Sequence, residues 1–509
     1  MAKLSEMKSE SRVDWLSLFL QALLALGGTV SIFILSGAGP KWLLLYVLIL
    51  GAAGSLFVLG RHETVKSVLL IGIGFSLIIN PHKSFGPLDL EHFGGVHGFF
   101  VSLTDLTMFC LIALNLAWYY RHSDLRMTRP PAAMIVALGC YLLAMLLSLL
   151  GAHNHILALG QIFFELKCIL FFLLMGFWLV PAGDERVQVF ILMLGGVILG
   201  VLVETAVAVC EFKGWLPANF SMLGIQAGGY METLGPYATK RVGGTYRHPN
   251  YLAVPMAVLL PVLAAMFLAF KDKLKVVSGV TVLCLVLTLV LTLSRAGFAA
   301  AVAIMLIFIL LALWHQIGRK VLKRNLAIII LIAIVLSGAL SFYAEPIYLK
   351  LFKSDPLNIQ SRIDLNEMAM EMIIAHPILG VGINNYTTVG KGFSFFYMYE
   401  AAFNLPPVVH NIYLLIASEI GLPGLLFFLW FVVLVFRQGL RGLRMIRDEL
   451  TGLLLCGFTA GLVGYLLADM WAIGLRKLEI GYLFWWHAGM ILFLVNSTQA
   501  KLVSQEADK

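Results

Sequence analysis

Charged residues are scarce in this chain of 509 residues: they make up 13% of the sequence, whereas 60% is hydrophobic. A soluble core cannot hide that much apolar surface, so a soluble globular fold is excluded. The six cysteines all fall inside apolar runs and form no Cys-x-x-Cys pair, which argues against a disulfide framework or a cysteine zinc site. The net charge of +8 lies mostly in short polar segments, and nucleic-acid binding is a poor interpretation of it.

Long apolar runs recur along almost the whole chain. Runs of about 18–20 apolar residues have the length of a membrane-spanning helix, and the alternating pattern of a membrane barrel is missing. Helices satisfy their own backbone hydrogen bonds in lipid, so we expect an all-α polytopic membrane protein with about 12–14 transmembrane helices. The first run lacks a small-residue cleavage pattern, so we interpret it as a helix rather than a signal peptide. The runs lie at about 15–35, 42–59, 67–80, 101–120, 132–151, 160–180, 187–211, 250–270, 276–293, 295–315, 326–343, 411–436, 452–468 and 481–496.

Lysine and arginine are concentrated in alternate short segments between these runs. The segments around Lys273, Lys323 and Arg444 are the clearest examples. The positive-inside bias therefore places these segments and both termini in the cytoplasm. The same map leaves two long segments outside, at 212–249 and 344–410, and loops of that length are usually functional or disordered.

The second long outer segment contains the pattern of an amphipathic helix. Its apolar residues recur with the spacing i, i+3, i+4, i+7 and i+8. Ser361 with Asp364 resembles a capping box at the start of the helix, and His376-Pro377 should end it. We expect this helix to lie on or near the outer membrane surface. Its apolar face consists of Leu365, Met368, Ala369, Met372 and Ile373.

Three polar stretches on the predicted outer face each precede an apolar helix. Helix N-termini carry partial positive charge and free N–H groups, which suit anions. Pro249 fits a first helical turn, and Ser294 and Asn411 are plausible N-caps. If the three helices are neighbours in space, their starts form a good diphosphate site. Arginine suits phosphate oxygens geometrically, and the arginines at these starts are Arg241, Arg247 and Arg295.

Each of these signals has a simpler interpretation. An arginine at a helix end commonly only snorkels to lipid headgroups, although Arg295 interrupts apolar sequence, where an ionisable residue is a functional hypothesis by default. A lone histidine such as His410 is more commonly a capping or packing residue. Glu204 could be a buried functional acid or could simply sit near helix polar groups, and the sequence leaves both open. Glu165 and Lys167 share a helix but point to different sides, so they need separate partners.

Five motifs follow one another over about 240–425. They are Gly244-Thr245-Tyr246-Arg247-His248-Pro249-Asn250-Tyr251-Leu252-Ala253, Thr292-Leu293-Ser294-Arg295-Ala296-Gly297, Arg362 followed by His376-Pro377-Ile378-Leu379-Gly380-Val381-Gly382-Ile383-Asn384-Asn385-Tyr386, His410-Asn411-x-Tyr413-Leu414, and Glu419-x-Gly421-x-x-Gly424. In this order they resemble the O-antigen ligase and O-antigen polymerase superfamily. Tyr246 replaces the usual Phe of the family, and the first 200 residues carry no matching motif. The chain divides accordingly into N-terminal transmembrane helices (1–211), a ligase/polymerase-like core (212–436) and C-terminal helices with a tail (437–509).

This resemblance implies a glycosyltransferase of the bacterial inner membrane, with its active site on the periplasmic side. Such an enzyme moves a glycan from undecaprenyl diphosphate to an acceptor hydroxyl, by an inverting transfer without metal or cofactor. A ligase passes the glycan to lipid A-core, and an O-antigen or exopolysaccharide polymerase passes it to another lipid-linked repeat unit; we favour the ligase slightly. The implied partners are the lipid-linked donor, one of these acceptors and membrane lipids, with no nucleic acid. A polysaccharide or lipid transporter or flippase is the alternative from another class, although the repeats and broken helices typical of transporters are not evident.

The resemblance also implies roles for individual residues. By motif position, Arg241 and Arg295 would bind the donor diphosphate, and His410 would be the base. We prefer Arg241 to Arg247 because the arginine of the family tends to precede the Gly-Thr step. There is no Asp-x-Asp pair of the kind that metal-dependent transferases use. The remaining expected substrate-binding residues are Arg247, His248, Asn250, Arg362, Asn411 and Tyr413.

Overall fold

Helices account for most of the regular structure. The chain divides into two compact units, Met1–Val65 and Lys66–Lys509, and of the first only residues 62–65 are described. The predicted helices at 15–35, 42–59 and 326–343 lie outside the described residues. A computed structural model describes residues 62–85, 94–121, 129–179, 185–216, 220–222, 225–227, 230–234, 237–246, 248–315, 320, 323, 356–393, 396–397 and 408–507.

Helices α1 to α13 follow in chain order within these ranges. Nine helical segments of the described residues are long and apolar enough to cross a membrane, and the prediction of an all-α polytopic membrane protein is confirmed. α4 continues beyond Leu173 through a π-helical turn, Leu174–Trp178. The helices are α1 His62–Ser76, α2 Leu103–Arg121, α3 Ala132–Ser148, α4 His155–Leu173, α5 Glu185–Lys213, α6 Pro249–Ala269, α7 Asp272–Thr292, α8 Arg295–Trp314, α9 Pro356–Ala375, α10 Tyr386–Gly390, α11 Ile412–Met445, α12 Glu449–Ala468 and α13 Leu478–Ala507.

Two of the helices run beyond their predicted ends. The prediction ended the helix that starts at 411 at residue 436 and the last helix at residue 496, but α11 reaches Met445 and α13 reaches Ala507. Hydropathy marks where an apolar run stops, whereas the backbone hydrogen bonds of a helix continue into polar sequence. The predicted loop 437–451 is therefore mostly helix.

Within the described ranges, three short antiparallel strand pairs, which were not predicted, accompany the helices. One precedes α2, and the other two occupy the first long outer segment. Strands of three to five residues alternate too briefly to stand out from loop sequence. The pairs are β1 His82–Phe85 with β2 Phe99–Ser102, β3 Phe220–Met222 with β4 Ile225–Ala227, and β5 Tyr230–Leu234 with β6 Tyr237–Arg241.

Helix α6 lies at the centre of the helix packing. It packs against α7, α8 and α12, and residues on every side of it are buried. Small residues let α12 approach its backbone: a Cβ at Gly457 would lie 2.8 Å from the Pro261 carbonyl oxygen, and one at Gly461 would lie 2.7 Å from that of Val258. This close packing holds the middle of α6, and the start of the same helix carries the first motif of the resemblance.

The amphipathic helix in the second outer segment is present as α9. All five residues of its predicted apolar face are buried, and the helix packs against α11. The predicted end before His376-Pro377 is confirmed, because the helix stops at Ala375. The predicted capping box is wrong. The helix begins at Pro356, whose fixed φ suits a first helical position, so Ser361 lies inside it.

A kink in α11 receives the segment that follows α9. Gly421 has non-helical dihedral angles, and Pro423 has no N–H to donate to the Glu419 carbonyl. The backbone N–H groups of Val381 and Gly382 instead donate to the carbonyls of Ser418 and Glu419, at 2.9 and 3.0 Å. The Pro-Ile-Leu-Gly-Val-Gly motif therefore donates hydrogen bonds to two carbonyls of α11 at the kink.

Helices α8 and α11 end beside each other. The guanidinium of Arg444 lies 5.6 Å from the ring centroid of Trp314, and the His315 Nε2 lies 3.0 Å from the Ile446 carbonyl oxygen. Both helices therefore run in the same direction, with their starts at the opposite end. Their sidedness remains a prediction from the lysine and arginine bias.

Cysteine labelling tests that sidedness. In a cysteine-free background, Lys273→Cys should resist an impermeant thiol reagent in intact cells, whereas Tyr397→Cys should react, because only the second is predicted to face outside. Both side chains are exposed, so access from the correct side is not limited by packing. Permeabilised cells are the control, in which both positions should react. Labelling of Lys273→Cys from outside would reverse the map.

Candidate functional site

The turn before α6 is held by two buried carboxylates of α5. Glu211 accepts hydrogen bonds from the N–H groups of Gly243 and Gly244, at 3.2 and 2.7 Å. Glu204 accepts from the N–H and the hydroxyl of Thr245, at 3.0 and 2.7 Å. Gly244 has a φ of 55°, and a Cβ there would collide with Glu204, so a glycine is required. The sequence left open whether Glu204 is a functional acid or a residue that lies near polar groups. The structure supports the second interpretation, because Glu204 accepts hydrogen bonds from Thr245.

The starts of α6 and α8 are joined by side chains. Asn250 Oδ1 accepts hydrogen bonds from Arg241 Nη2 and from the Ser294 hydroxyl, both at 2.9 Å. Arg241 Nε also donates to the Thr292 carbonyl at 3.0 Å, and its side chain is only 4% exposed. A Cβ added at Gly297 would lie 2.5 Å from the Ala253 side chain, so the two helices touch in their first turns.

Local capping chemistry sets the direction of each start. His248 caps α6, with its Nδ1 accepting from the Asn250 N–H at 3.1 Å. Ser294 caps α8 by accepting from the Gly297 N–H at 3.2 Å. Leu293 adopts a left-handed conformation (φ 47°) between α7 and α8, which turns the chain back within two residues. Arg295, partly exposed, is the first residue of α8.

The start of α11 is the third predicted helix end. Asn411 caps it by accepting from the N–H groups of Tyr413 and Leu414, at 3.0 and 3.2 Å. The Tyr413 hydroxyl donates to the Leu466 carbonyl at 2.8 Å, which ties α11 to α12. Tyr413 was predicted to bind substrate, and in this structure its hydroxyl has a protein partner.

His410 immediately precedes this third start. Burial lowers the pKa of His410 to about 3, and the charges of Arg362 and Lys477 act in the same direction. The condition set by the sequence, that the helix starts be neighbours, is met for α6 with α8 by direct hydrogen bonds. For α11 it stays a prediction. Arg247 lies outside the described residues.

Sequence reasoning missed the segment between α12 and α13. Its residue Arg476 is 1% exposed and lies between two buried carboxylates, 3.5 Å from Glu165 Oε1 and 3.1 Å from Glu419 Oε2. Burial alone would lower the pKa of the arginine, but the two carboxylates outweigh it and raise that pKa. Glu165 in an apolar helix was the available signal, since a buried carboxylate needs a cation.

The second ionisable residue of α4 has a different partner. Lys167 Nζ lies 2.7 Å from Asp105 Oδ2 and donates to the Phe100 carbonyl at 3.0 Å. The Tyr482 hydroxyl also donates to Asp105. Glu165 and Lys167 therefore have separate partners, as their positions on the helix predicted. Both groups of ion pairs are buried, so removing one partner would leave an uncompensated buried charge.

The region 280–429 decides the relationship to known proteins. It matches the family model described as O-antigen ligase. The resemblance to the O-antigen ligase and polymerase superfamily is confirmed. Ser294, Arg295, Arg362 and His410 all lie within the matched O-antigen ligase region, whereas Arg241 and the segment with Arg476 lie outside it.

Two further comparisons add little to this match. None of the curated proteins matches the chain significantly. Among solved structures, a chain from a study titled "Structural coordination of polymerization and crosslinking by a peptidoglycan synthase complex" is 16% identical, with a TM-score of 0.36. The similarity covers 72% of this chain and 97% of that one, and a score so low does not define a shared fold.

Proposed function

We propose that the protein is an O-antigen ligase-like glycosyltransferase of the bacterial inner membrane. It moves a glycan from undecaprenyl diphosphate to a hydroxyl of lipid A-core on the periplasmic face. The observation that supports the proposal is the O-antigen ligase match over 280–429, a region that contains Arg295, Arg362 and His410, together with the hydrogen bond that joins the capped starts of α6 and α8. The polymerase, which joins lipid-linked repeat units, is the alternative outcome of the test below.

The chemistry requires a cation for the leaving group and an acceptor for one proton. The acceptor oxygen bonds to the anomeric carbon, the bond from that carbon to the phosphate oxygen breaks, and its electron pair leaves with the lipid diphosphate. Arg295 and the starts of α6 and α8 stabilise the charge that develops on the leaving oxygen. Arg241 holds the two helix starts together through its hydrogen bonds to Asn250 and the Thr292 carbonyl, and it adds a positive charge there. His410 accepts the proton of the acceptor hydroxyl.

The two acceptors are distinguished by a reconstituted assay. Purified protein is incubated with an undecaprenyl-diphosphate-linked oligosaccharide, with and without lipid A-core, and the products are separated by length. A single transfer that requires lipid A-core supports the ligase. A ladder of lengths without core supports the polymerase, and transport of intact donor without transfer would overturn the enzyme proposal.

Transfer is expected to persist in excess EDTA. The reason is the lack of an Asp-x-Asp pair, with arginines and helix starts in place of a divalent cation near the leaving group. The assay above, repeated with EDTA and then with added Mg²⁺ or Mn²⁺, provides the measurement. Activity that EDTA abolishes and a divalent cation restores would contradict the metal-independent mechanism.

The pH profile should differ between kcat/KM for the donor and kcat. In the free protein His410 has a pKa of about 3, so it stays neutral, and able to accept a proton, well below pH 6. Bound diphosphate opposes the surrounding positive charge and raises that pKa. We therefore expect kcat/KM to show no loss from His410 protonation between about pH 5 and 8, while the acid limb of kcat lies at higher pH. An acid limb of kcat/KM near pH 6.5 that His410→Ala removes would contradict this.

A further inference from the structure

The start of α11 is joined to the end of α12 by two hydrogen bonds. The Tyr413 hydroxyl donates to the Leu466 carbonyl at 2.8 Å, and the Ile412 N–H donates to the Asp469 carbonyl at 2.9 Å. The last carbonyls of a helix have no donor within that helix, so the end of α12 offers acceptors to a neighbour. Bonds from two adjacent residues therefore hold the first turn of α11 against α12.

The end of α12 is itself held in place. The Asp469 carboxylate accepts from the N–H groups of Gly474 and Leu475, both at 2.9 Å. The next residue, Arg476, lies 3.1 Å from Oε2 of Glu419, which belongs to α11. The contacts thus run from the first turn of α11 through the end of α12 and the following segment, and they return to α11. One contact of such a closed set cannot move without disturbing the others.

His410 lies immediately before the first turn of α11. The chain around it is packed, since Val408, Val409 and Ile412 are all buried. Asn411, the next residue, caps the helix. The position of the imidazole therefore follows the position of this first turn, as expected for a functional side chain placed on a rigid element.

We propose that Tyr413 is a positioning residue for glycan transfer, through which α12 holds His410 where it accepts the proton of the acceptor hydroxyl. The inference rests on the proposed function and extends it to α12, which lies outside the O-antigen ligase match. It replaces the substrate-binding role that the sequence predicted for Tyr413. Accurate placement matters for a base, because a misplacement of about 1 Å can lower a rate on the order of 10²-fold.

Tyr413→Phe removes the hydroxyl and keeps the aromatic ring, so it tests this bond in the full-length protein. In the transfer assay with undecaprenyl-diphosphate-linked oligosaccharide and lipid A-core, kcat should fall roughly 10-fold, less than for a full 1 Å misplacement because the bond of Ile412 remains. The donor KM should change little. Tyr246→Phe is the matched control, since its hydroxyl also donates to a backbone carbonyl, that of Ile78 at 2.9 Å. It leaves the start of α11 intact and should keep the wild-type kcat.

Combination with His410→Ala distinguishes positioning from a general loss of stability. In the His410→Ala background, Tyr413→Phe should lower the remaining turnover less than about 2-fold, because the base that it positions is already gone. Losses that multiply would overturn the inference, since they indicate a structural role independent of His410. A raised donor KM at unchanged kcat would also overturn it and would restore the substrate-binding role.

The outcomes separate this inference from the proposed function. If wild type transfers glycan and Tyr413→Phe does so at the same rate, Tyr413 positions nothing and the glycosyltransferase proposal stands. If His410→Ala turns over normally, there is no base at this place, and the inference fails although transfer by wild type is established. If wild type transfers no glycan, the proposed function fails and the inference fails with it.

Discussion

His410→Ala is expected to lower the turnover of glycan transfer by roughly 10²–10⁴-fold, the scale for losing a general base. The imidazole is the group at this site that is neutral over the working pH range and able to take a proton, because burial and neighbouring cations hold its pKa near 3. Such a low pKa also makes it a weak base until the donor arrives. Diphosphate binding then raises the pKa where a stronger base is needed.

The measurement separates chemistry from binding. His410→Ala should bind undecaprenyl diphosphate within a few-fold of wild type, while the initial rate at saturating donor falls. It should still fold, because the start of α11 is capped by Asn411 and fastened to the Asp469 carbonyl rather than by His410. His376→Ala is the control, since His376 is an exposed histidine of the same outer segment. Near-normal turnover of His410→Ala from mildly acidic to mildly basic pH would leave His410 with a structural role only.

The individual helix starts could be predicted because their signals are local. Pro249, Ser294 and Asn411 each occupy the position that capping chemistry predicts. The apolar face of α9 follows from helical periodicity in the same way. The predicted capping box at Ser361 was wrong because Pro356 offered an earlier start. Local competition of this kind between two start signals is not resolved by pattern alone.

The connections between the starts could not be predicted, because they join residues far apart in the sequence. Asn250 and Ser294 form a hydrogen bond although most of α6 and all of α7 separate them in the sequence. Arg476 and Glu165 form an ion pair although more than half of the chain lies between them. The sequence indicated that Glu165 needed a cation but not which one. Arg476 lies beyond every motif of the resemblance, in a short segment between two helices, so its place between Glu165 and Glu419 depends on packing.

Arg295→Ala is expected to reduce turnover by roughly 10²–10³-fold, the scale for removing one group that stabilises developing charge. Arg295 stands in the first turn of α8, where the positive end of the helix dipole favours an anion. The loss should exceed any loss of donor affinity, because the contact strengthens as the leaving oxygen gains charge. Arg295→Lys keeps the charge but loses the planar fork, so its turnover should lie between those of Arg295→Ala and wild type.

Arg295 gives a sharper test than Arg241. Arg241 ties Asn250 to the Thr292 carbonyl, so replacing it disturbs the junction of α6 and α8 and should lower the melting temperature together with activity. Arg295→Ala leaves the Ser294 cap in place and should melt as wild type does. Initial rates and donor binding are compared with those of Arg441→Ala, an exposed arginine near the far end of α11. If Arg295→Ala binds donor and turns over normally, the diphosphate is bound elsewhere, and Arg241 with Arg247 becomes the pair to replace next.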